Sequence, residues 1–379
     1  MGTGPGVWMA GVMLAAAVSG TPTPGAAPPP SCGCRAAVLM DADTGQVLYA
    51  YHAYRQMDPA SLTKMMTAYV AIRAGRLDRR VTISPRAAAT GGSRMHLAAG
   101  QVYTELDLLR GLLLRSGNDA AVALAEAVAG SVPAFVARMN HDARALGAYN
   151  THFENPHGLT APGHYSSAYD LARIARAALA LPLFQHLVSS PADFVRELTR
   201  GRRRDLYNTN QLLETFPPAD GIKTGTTSAA GKCLAASATV SGTQLITVVL
   251  DARDRFGAAR ALLDWGFRYF RPTVAARAGQ PLATVRVRRG TVPAVVLEVP
   301  RTVRVLVPEG VVPKVFVGAP DAVAAPVRAG QSLGTAYVWA DDRIVLAVPL
   351  QAAAAVPRRP VPLPPLFERL WRSLFRYPR

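Results

Sequence analysis

Three short motifs constrain this chain more than any other feature: Ser61-Leu62-Thr63-Lys64, then Ser116-Gly117-Asn118, then Lys223-Thr224-Gly225. Pro59 and Ala60 open an apolar run from Ser61 to Ile72 that stops near Gly75. The spacing predicts a helix with Ser61 in its first turn and Lys64 at i+3 on the same face. A serine hydroxyl is a poor nucleophile near neutral pH until a base takes its proton. A lysine is such a base only when burial or a second cation drives its ammonium towards the neutral form. Lys223 is the expected second cation, and the helix N-terminus favours the oxyanion that forms beside Ser61.

Ser116-Gly117-Asn118 reads as a tight connection between a helical stretch, Glu105 to Leu114, and another, Asp119 to Val128. Such a loop projects side chains into a cleft. Ser116 is placed to relay a proton from Lys64 to a leaving amine, and the Asn118 amide offers a donor and an acceptor to a peptide backbone. Lys223-Thr224-Gly225 falls in a run with strand character, Gly221 to Thr227, ahead of Lys232 to Val240 and Gln244 to Asp251. Gly225 is expected to let a substrate approach the strand edge. Substrate then adds as a further strand, with backbone N–H groups near Ser61 and Thr226 aimed at the oxyanion. Each motif alone is an ordinary helix start, helix end or strand end; their joint occurrence in this order is not.

At these residues the chain resembles the D-alanyl-D-alanine carboxypeptidases, low-molecular-mass penicillin-binding proteins of the serine peptidase type. The likeness extends to Met57-Asp58-Pro59-Ala60, Asp119-Ala120, His157-Gly158-Leu159, Tyr165-Ser166-Ser167-Ala168 and Asp264-Trp265-Gly266-Phe267. It implies that the penultimate D-alanine carbonyl of a peptidoglycan stem peptide acylates Ser61, that the terminal D-alanine leaves, and that water then hydrolyses the ester. β-Lactams such as penicillins would acylate the same serine. The resemblance makes Ser61, Lys64 and Ser116 catalytic and gives substrate contacts to Asn118, Lys223, Thr224, Gly225 and Thr226. Arg255, expected a few residues before a helical run from Ala258, is a further cation for the terminal carboxylate, a task suited to guanidinium geometry. His157 would line the cleft. No cofactor is expected.

Two other readings use similar groups. A D,D-endopeptidase would cut cross-links with the same residues and stays open. A class A β-lactamase needs a deacylating glutamate in a Glu-x-x-Leu-Asn loop, whereas this region reads Phe153-Glu154-Asn155-Pro156-His157 and leaves Glu154 as the sole trace. A non-catalytic penicillin sensor fits poorly with three intact motifs.

Lysine and arginine total 42 against 25 acidic residues, a formal charge of +17. That excess favours anionic partners such as cell-wall polymer or anionic lipid. The basic residues are scattered apart from Arg200 to Arg204, and no nucleic-acid motif accompanies them. Val7 to Val18 is an apolar stretch of signal-peptide length, followed by a Pro/Ala/Gly-rich segment, although Met1 to Gly6 carries no basic residue. Export is the expected consequence. Cys32 and Cys34 flank one glycine, a spacing expected to strain a bridge, and Cys233 falls in a strand-like run, so no disulfide is expected. His152, Glu154 and His157 are not expected to hold a metal, because Pro156 and Gly158 break the helix that would align two imidazoles.

Arg35 to Asp41 and Gln46 to Tyr51 read as strands around Thr44-Gly45, helical patterns follow to about Leu181, and strands return at Gly221 before a helix from Ala258 to Phe270. From Pro281 to Leu350 short β-branched runs alternate with Gly and Pro. The expected fold is α+β: residues 1–34 as signal-like segment and linker, 35–272 as a penicillin-binding/β-lactamase-like transpeptidase domain, 276–352 as a small all-β domain, and 353–379 as a proline-rich linker with a C-terminal amphipathic helix. In that last segment Leu366, Phe367, Leu370, Trp371, Leu374 and Phe375 recur at helical spacing, with Arg369, Arg372 and Arg376 on the other face. Such a helix rises about 1.5 Å per residue, too short here to cross a bilayer, and is expected to lie on an anionic membrane surface at the extracytoplasmic face.

Overall fold

The computed structural model describes residues 28–360, so the signal-like stretch before Pro28 and the amphipathic pattern after Pro360 lie outside the described residues. The chain divides into two compact units between Tyr269 and Phe270. The first unit begins with β1 (Ala36–Asp41), β2 (Val47–Tyr51), a 3-10 turn (Ala60–Leu62), α1 (Thr63–Ala74), β3 (Arg80–Thr82), α2 (Pro85–Ala88) and β4 (Val102–Thr104). It continues through α3 (Glu105–Leu114), α4 (Asn118–Ala129), α5 (Val132–Ala145), α6 (Ala168–Leu179), α7 (Pro182–Ser189), β5 (Ala192–Arg196) and β6 (Arg203–Tyr207). α8 (Leu212–Thr215), β7 (Ala219–Thr227), β8 (Gly231–Val240), β9 (Thr243–Leu250) and α9 (Arg255–Tyr269) complete it.

Its five-stranded antiparallel sheet has the order β2-β1-β9-β8-β7, so the first strand pairs with the ninth and β7 stands at an edge. All six residues of β1 are buried, because both faces of the sheet are covered. Ala36, Val38 and Met40 join the helical core with Leu62, Met65, Leu112 and Leu124. Leu39 points to the opposite face, where α9 packs so tightly that a Cβ on Gly266 would lie 2.8 Å from Leu39 Cδ2 and 2.6 Å from Leu245 Cδ1. Side-chain caps from Thr104, Ser131 and Ser167 start α3, α5 and α6 by accepting the N–H groups of Asp107, Ala134 and Asp170.

The second unit holds β10 (Phe270–Ala276), β11 (Pro281–Arg288), β12 (Ala294–Glu298), β13 (Val303–Pro308), β14 (Lys314–Gly318), β15 (Ala322–Ala324), β16 (Ser332–Ala340) and β17 (Arg343–Ala352). A six-stranded sheet of order β14-β16-β17-β12-β11-β15 and the β10-β13 pair enclose a core that includes Val285, Val295, Leu297, Val305 and Leu350. The chain stays attached beyond Ala352, since Val356 bridges to Val327 and Arg358 to Gly290.

Three local expectations differ from the structure. Cys32 and Cys34 form a disulfide: Gly33, at φ +51°, reverses the chain and brings the two Cα atoms to 5.1 Å, inside the ordinary range for a bridge. Phe270 opens β10, paired opposite Pro308, rather than closing α9. Strands also return before Gly221, as the β5–β6 hairpin; only Val195 and Leu206 turn inward there, too weak a pattern to read through the arginines.

Because Gly266 has no room for a side chain, Gly266→Val is expected to destabilise the first unit by about 1–3 kcal/mol, roughly 3–10 °C in Tm. Differential scanning fluorimetry measures it. An unchanged Tm would mean that α9 does not pack on Leu39 and Leu245 as described.

Candidate active site

Ser61 sits in the 3-10 turn just ahead of α1, not within the α-helix itself, and Lys64 is the second residue of α1. Ala60, immediately before the serine, has φ +47°, an uncommon backbone for a residue with a Cβ, and Ser116 has φ +59°. Such conformations persist where surrounding contacts impose them. β7 runs close against the serine turn: a Cβ on Gly225 would lie 3.0 Å from Ser61 N and 3.1 Å from Ala60 Cβ. Gly225 thus lets the strand approach the serine turn itself.

Lys64 is fully buried, and its Nζ lies 2.8 Å from Ser61 Oγ, 2.7 Å from Asn118 Oδ1 and 2.7 Å from the carbonyl oxygen of His157. The Asn118 orientation is fixed because its Nδ2 donates to Gly91 O at 2.7 Å. Both Asn118 Oδ1 and His157 O are acceptors without a proton. A neutral amine has two protons for them, and its lone pair then faces the Ser61 hydroxyl. Burial, followed by the charge of Lys223, holds the Lys64 ammonium well below the usual lysine range, with Asp119 opposing. Lys223 is itself pushed down to about 7 by burial and then by Arg255.

The other expected residues lie on α4, β7 and α9 and on the turn before α4. Ser116 is buried at the turn between α3 and α4, and Asn118 opens α4. Lys223, Thr224 and Gly225 lie in β7, with Lys223 Nζ donating to Thr224 O at 3.2 Å and Thr224 Oγ1 lying 2.6 Å from Thr209 Oγ1. Arg255 is the first residue of α9 rather than preceding the helix, and its Nη1 donates to Gly225 O at 3.0 Å and Thr226 Oγ1 at 2.8 Å. Its guanidinium therefore flanks the outer end of the third motif. Glu154 is exposed and lies 3.3 Å from His152 Nδ1, engaged with that ring rather than with Lys64.

Several residues of the site carried no clear signal in the sequence. The loop that supplies the His157 carbonyl is tied to α1 at two further points, where Thr67 Oγ1 donates to Pro156 O at 2.6 Å and His164 Nε2 lies 2.9 Å from Thr63 Oγ1. His164 Nδ1 accepts from Glu154 N, so Nε2 carries the ring proton and donates to the threonine. Burial keeps both rings neutral, His157 down to about 3, with help from Lys64, and His164 to about 4. Gly158 makes the loop's closest approach: its φ is +88°, and a Cβ there would lie 1.8 Å from Ala60 O. Asp119 anchors the other wall by accepting the N–H groups of Met95 at 2.8 Å and Leu97 at 3.0 Å. His157-Gly158-Leu159 and Asp119 stood out in the sequence by likeness alone; their partners are set by tertiary packing.

The family model described as D-alanyl-D-alanine carboxypeptidase matches residues 23–254, and that described as penicillin-binding protein 5, C-terminal domain, matches residues 270–358. The D-alanyl-D-alanine carboxypeptidase DacF of Bacillus subtilis is 36% identical over 331 residues, covering 84% of this chain and 84% of that protein. DacC of Escherichia coli, of the same description, is 37% identical over 325 residues, 81% of this chain and 80% of its own. Among solved structures, penicillin-binding protein 5 from Haemophilus influenzae superposes with a TM-score of 0.76 at 34% identity, covering 88% of this chain and 100% of that one.

Only the neutral amine of Lys64 can take a proton, so acylation of Ser61 by a labelled penicillin is expected to fall as pH drops through the lowered lysine pKa. Lys223→Met removes the neighbouring cation, which raises the Lys64 pKa and moves this acid limb to higher pH. Lys64→Arg should be nearly inert, since a guanidinium keeps its proton. Single-turnover acylation rates measured across pH check all three. An arginine variant near the native rate, or an acid limb unmoved by Lys223→Met, contradicts the assignment.

Proposed function

Because the chain belongs to the D-alanyl-D-alanine carboxypeptidase family, a family of serine peptidases, we propose that Ser61 is its nucleophile and Lys64 the base that activates it. The activity is that of a serine D,D-carboxypeptidase, and the fold is of the penicillin-binding type. The observation that carries the residue assignment is the Lys64 nitrogen with two acceptor-only partners and one hydroxyl.

On this reading Ser61 Oγ attacks the carbonyl carbon of the penultimate D-alanine while its proton passes to Lys64 Nζ. Charge develops on the carbonyl oxygen between the backbone N–H groups of Ser61 and Thr226, which the tight contact at Gly225 brings together. The C–N bond breaks, and the departing amine of the terminal D-alanine takes the proton through the Ser116 hydroxyl. Water then attacks the ester carbonyl while Lys64 accepts its proton, the bond to Ser61 Oγ breaks, and Lys64 returns the proton to that oxygen, so that both side chains are restored. Lys223, Thr224, Thr226 and Arg255 form the polar end that receives the terminal carboxylate, and Asn118 contacts the peptide backbone.

Penicillin is expected to label Ser61 covalently, with Ser61→Ala unlabelled; an adduct mapped to another serine removes the assignment. A pentapeptide muropeptide should yield free D-alanine, while a cross-linked dimer is left intact. Cleavage of the dimer would favour the endopeptidase.

Such an enzyme acts on peptidoglycan outside the cytoplasm. No single helix among the described residues is long and apolar enough to cross a membrane. The reading for the chain after Pro360 is a surface anchor, six apolar side chains set against arginines. Because Val356 and Arg358 are still bridged to the second unit, truncation belongs after Pro360. The shortened protein should lose sedimentation with anionic vesicles and keep activity on small peptides. Undiminished vesicle binding would move the anchor elsewhere.

A further inference from the structure

The β5–β6 hairpin carries the basic run that the reaction leaves unused. Arg196, Arg200, Arg202, Arg203 and Arg204 are all exposed, and the strand register sets Arg196 directly opposite Arg203. Like charges in that position weaken an antiparallel pair. The local acids do not offset them. Glu197 accepts the backbone N–H groups of Thr199 at 2.7 Å and Arg200 at 2.8 Å and so shapes the turn, while Asp193 is held by Arg110 at 2.8 Å. Asp205 pairs with Arg203, whose guanidinium also lies 4.2 Å from the Phe194 ring centroid. Arg196, Arg200 and Arg202 form no ion pair among the described residues.

This charge is fixed beside the cleft. Arg204 Nη1 donates to the carbonyls of Met95 and His96, in the segment whose Met95 and Leu97 N–H groups Asp119 holds. Leu198 N donates to Val102 O at the tip. Past the other end of β6, Thr209 N donates to Leu114 O and Thr209 Oγ1 meets Thr224 of the third motif. The hairpin is thus tied near its tip to β4 and to the segment that Asp119 anchors, and beyond its other end, through Thr209, to the third motif. Its strands run about 17 Å, close to the reach of an extended pentapeptide.

We propose that the hairpin is an accessory surface for the anionic peptidoglycan strand that presents the scissile peptide, with Arg196, Arg200 and Arg202 receiving carboxylates of neighbouring stem peptides. The inference rests on the carboxypeptidase reading. The polymer held at Ser61 carries those carboxylates in series, so engagement at the hairpin raises the local concentration of stems at the cleft.

The test uses the full chain with Arg196→Gln, Arg200→Gln and Arg202→Gln combined, leaving Arg203 and Arg204 to hold the hairpin. Penicillin labelling and kcat/KM on a diacetylated tripeptide ending in D-Ala-D-Ala should stay within about twofold of native. D-Alanine release from purified sacculi should fall about tenfold in ~0.05 M salt, the deficit closing by ~0.5 M as screening removes the native advantage. Binding to sacculi, measured by co-sedimentation in a Ser61→Ala background, should fall in parallel without any turnover. Native-like sacculus binding and turnover in the variant would overturn the inference, as would an equal loss on the tripeptide or a loss confined to anionic vesicles. A native enzyme inert on the tripeptide while Ser61→Ala still binds sacculi through these arginines would instead strike at the carboxypeptidase reading.

Discussion

Everything at the proposed catalytic centre depends on a lysine nitrogen placed where a charge is costly and where two of its three neighbours can only accept protons. Lys64 is donated by α1, Asn118 by the start of α4, and the His157 carbonyl by the loop that α1 itself grips through Thr63 and Thr67. Three separate stretches of chain are thereby locked around one atom. A buried ammonium would need all three partners to accept and would still lie near Lys223. The free base needs two acceptors and one donor, which is what Asn118, His157 and Ser61 supply.

The second constraint is steric and concerns the edge of the sheet. β7 runs so close to the serine turn that a Cβ at position 225 would crowd Ser61 N and Ala60 Cβ, and the loop crosses the same turn on another side at Gly158. Between these two contacts the Ala60 backbone is held at a positive φ, which fixes where the Ser61 N–H points. An oxyanion site made of backbone groups gains its worth from being set before substrate arrives. Arg255, at the head of α9, places the last cation over the same strand because α9 packs on the sheet behind it.

How much of this was legible in the sequence follows from range. Ser61 and Lys64 are three residues apart in one turn of chain, and local periodicity was enough to pair them. The ordered motifs pointed further to Ser116, Asn118 and Lys223, of which Asn118 Oδ1 lies 2.7 Å from Lys64 Nζ and Lys223 acts on Lys64 through its charge. The carbonyl of His157 was not legible, because a backbone oxygen leaves no residue-type signal. Thr63, Thr67 and His164 look like any polar residues until the loop is folded over α1. Local patterns misled where one residue governs a bend: Gly33 makes the Cys32–Cys34 bridge reachable, and the arginines of β6 mask a strand with a single inward side chain, Leu206. The second unit was easier, since its β-branched runs alternate with turns, though the short β15, paired through three residues, gave no run to read.

The pairing of β1 with β9 has a consequence for the order in which the molecule comes into being. Leu39 leaves the ribosome long before its partner across the ladder, Thr247. Until that late segment arrives, β1 has only β2 beside it, and the helices have no sheet to pack on. Contacts so distant in sequence slow folding, because the loop must close before the pairing rewards it. The third motif arrives on β7 just before β8 and β9 complete the sheet, so the Gly225 contact with the serine turn and the Lys223 charge beside Lys64 come late. The sheet that carries the third motif is therefore complete only once β9 has paired with both β1 and β8.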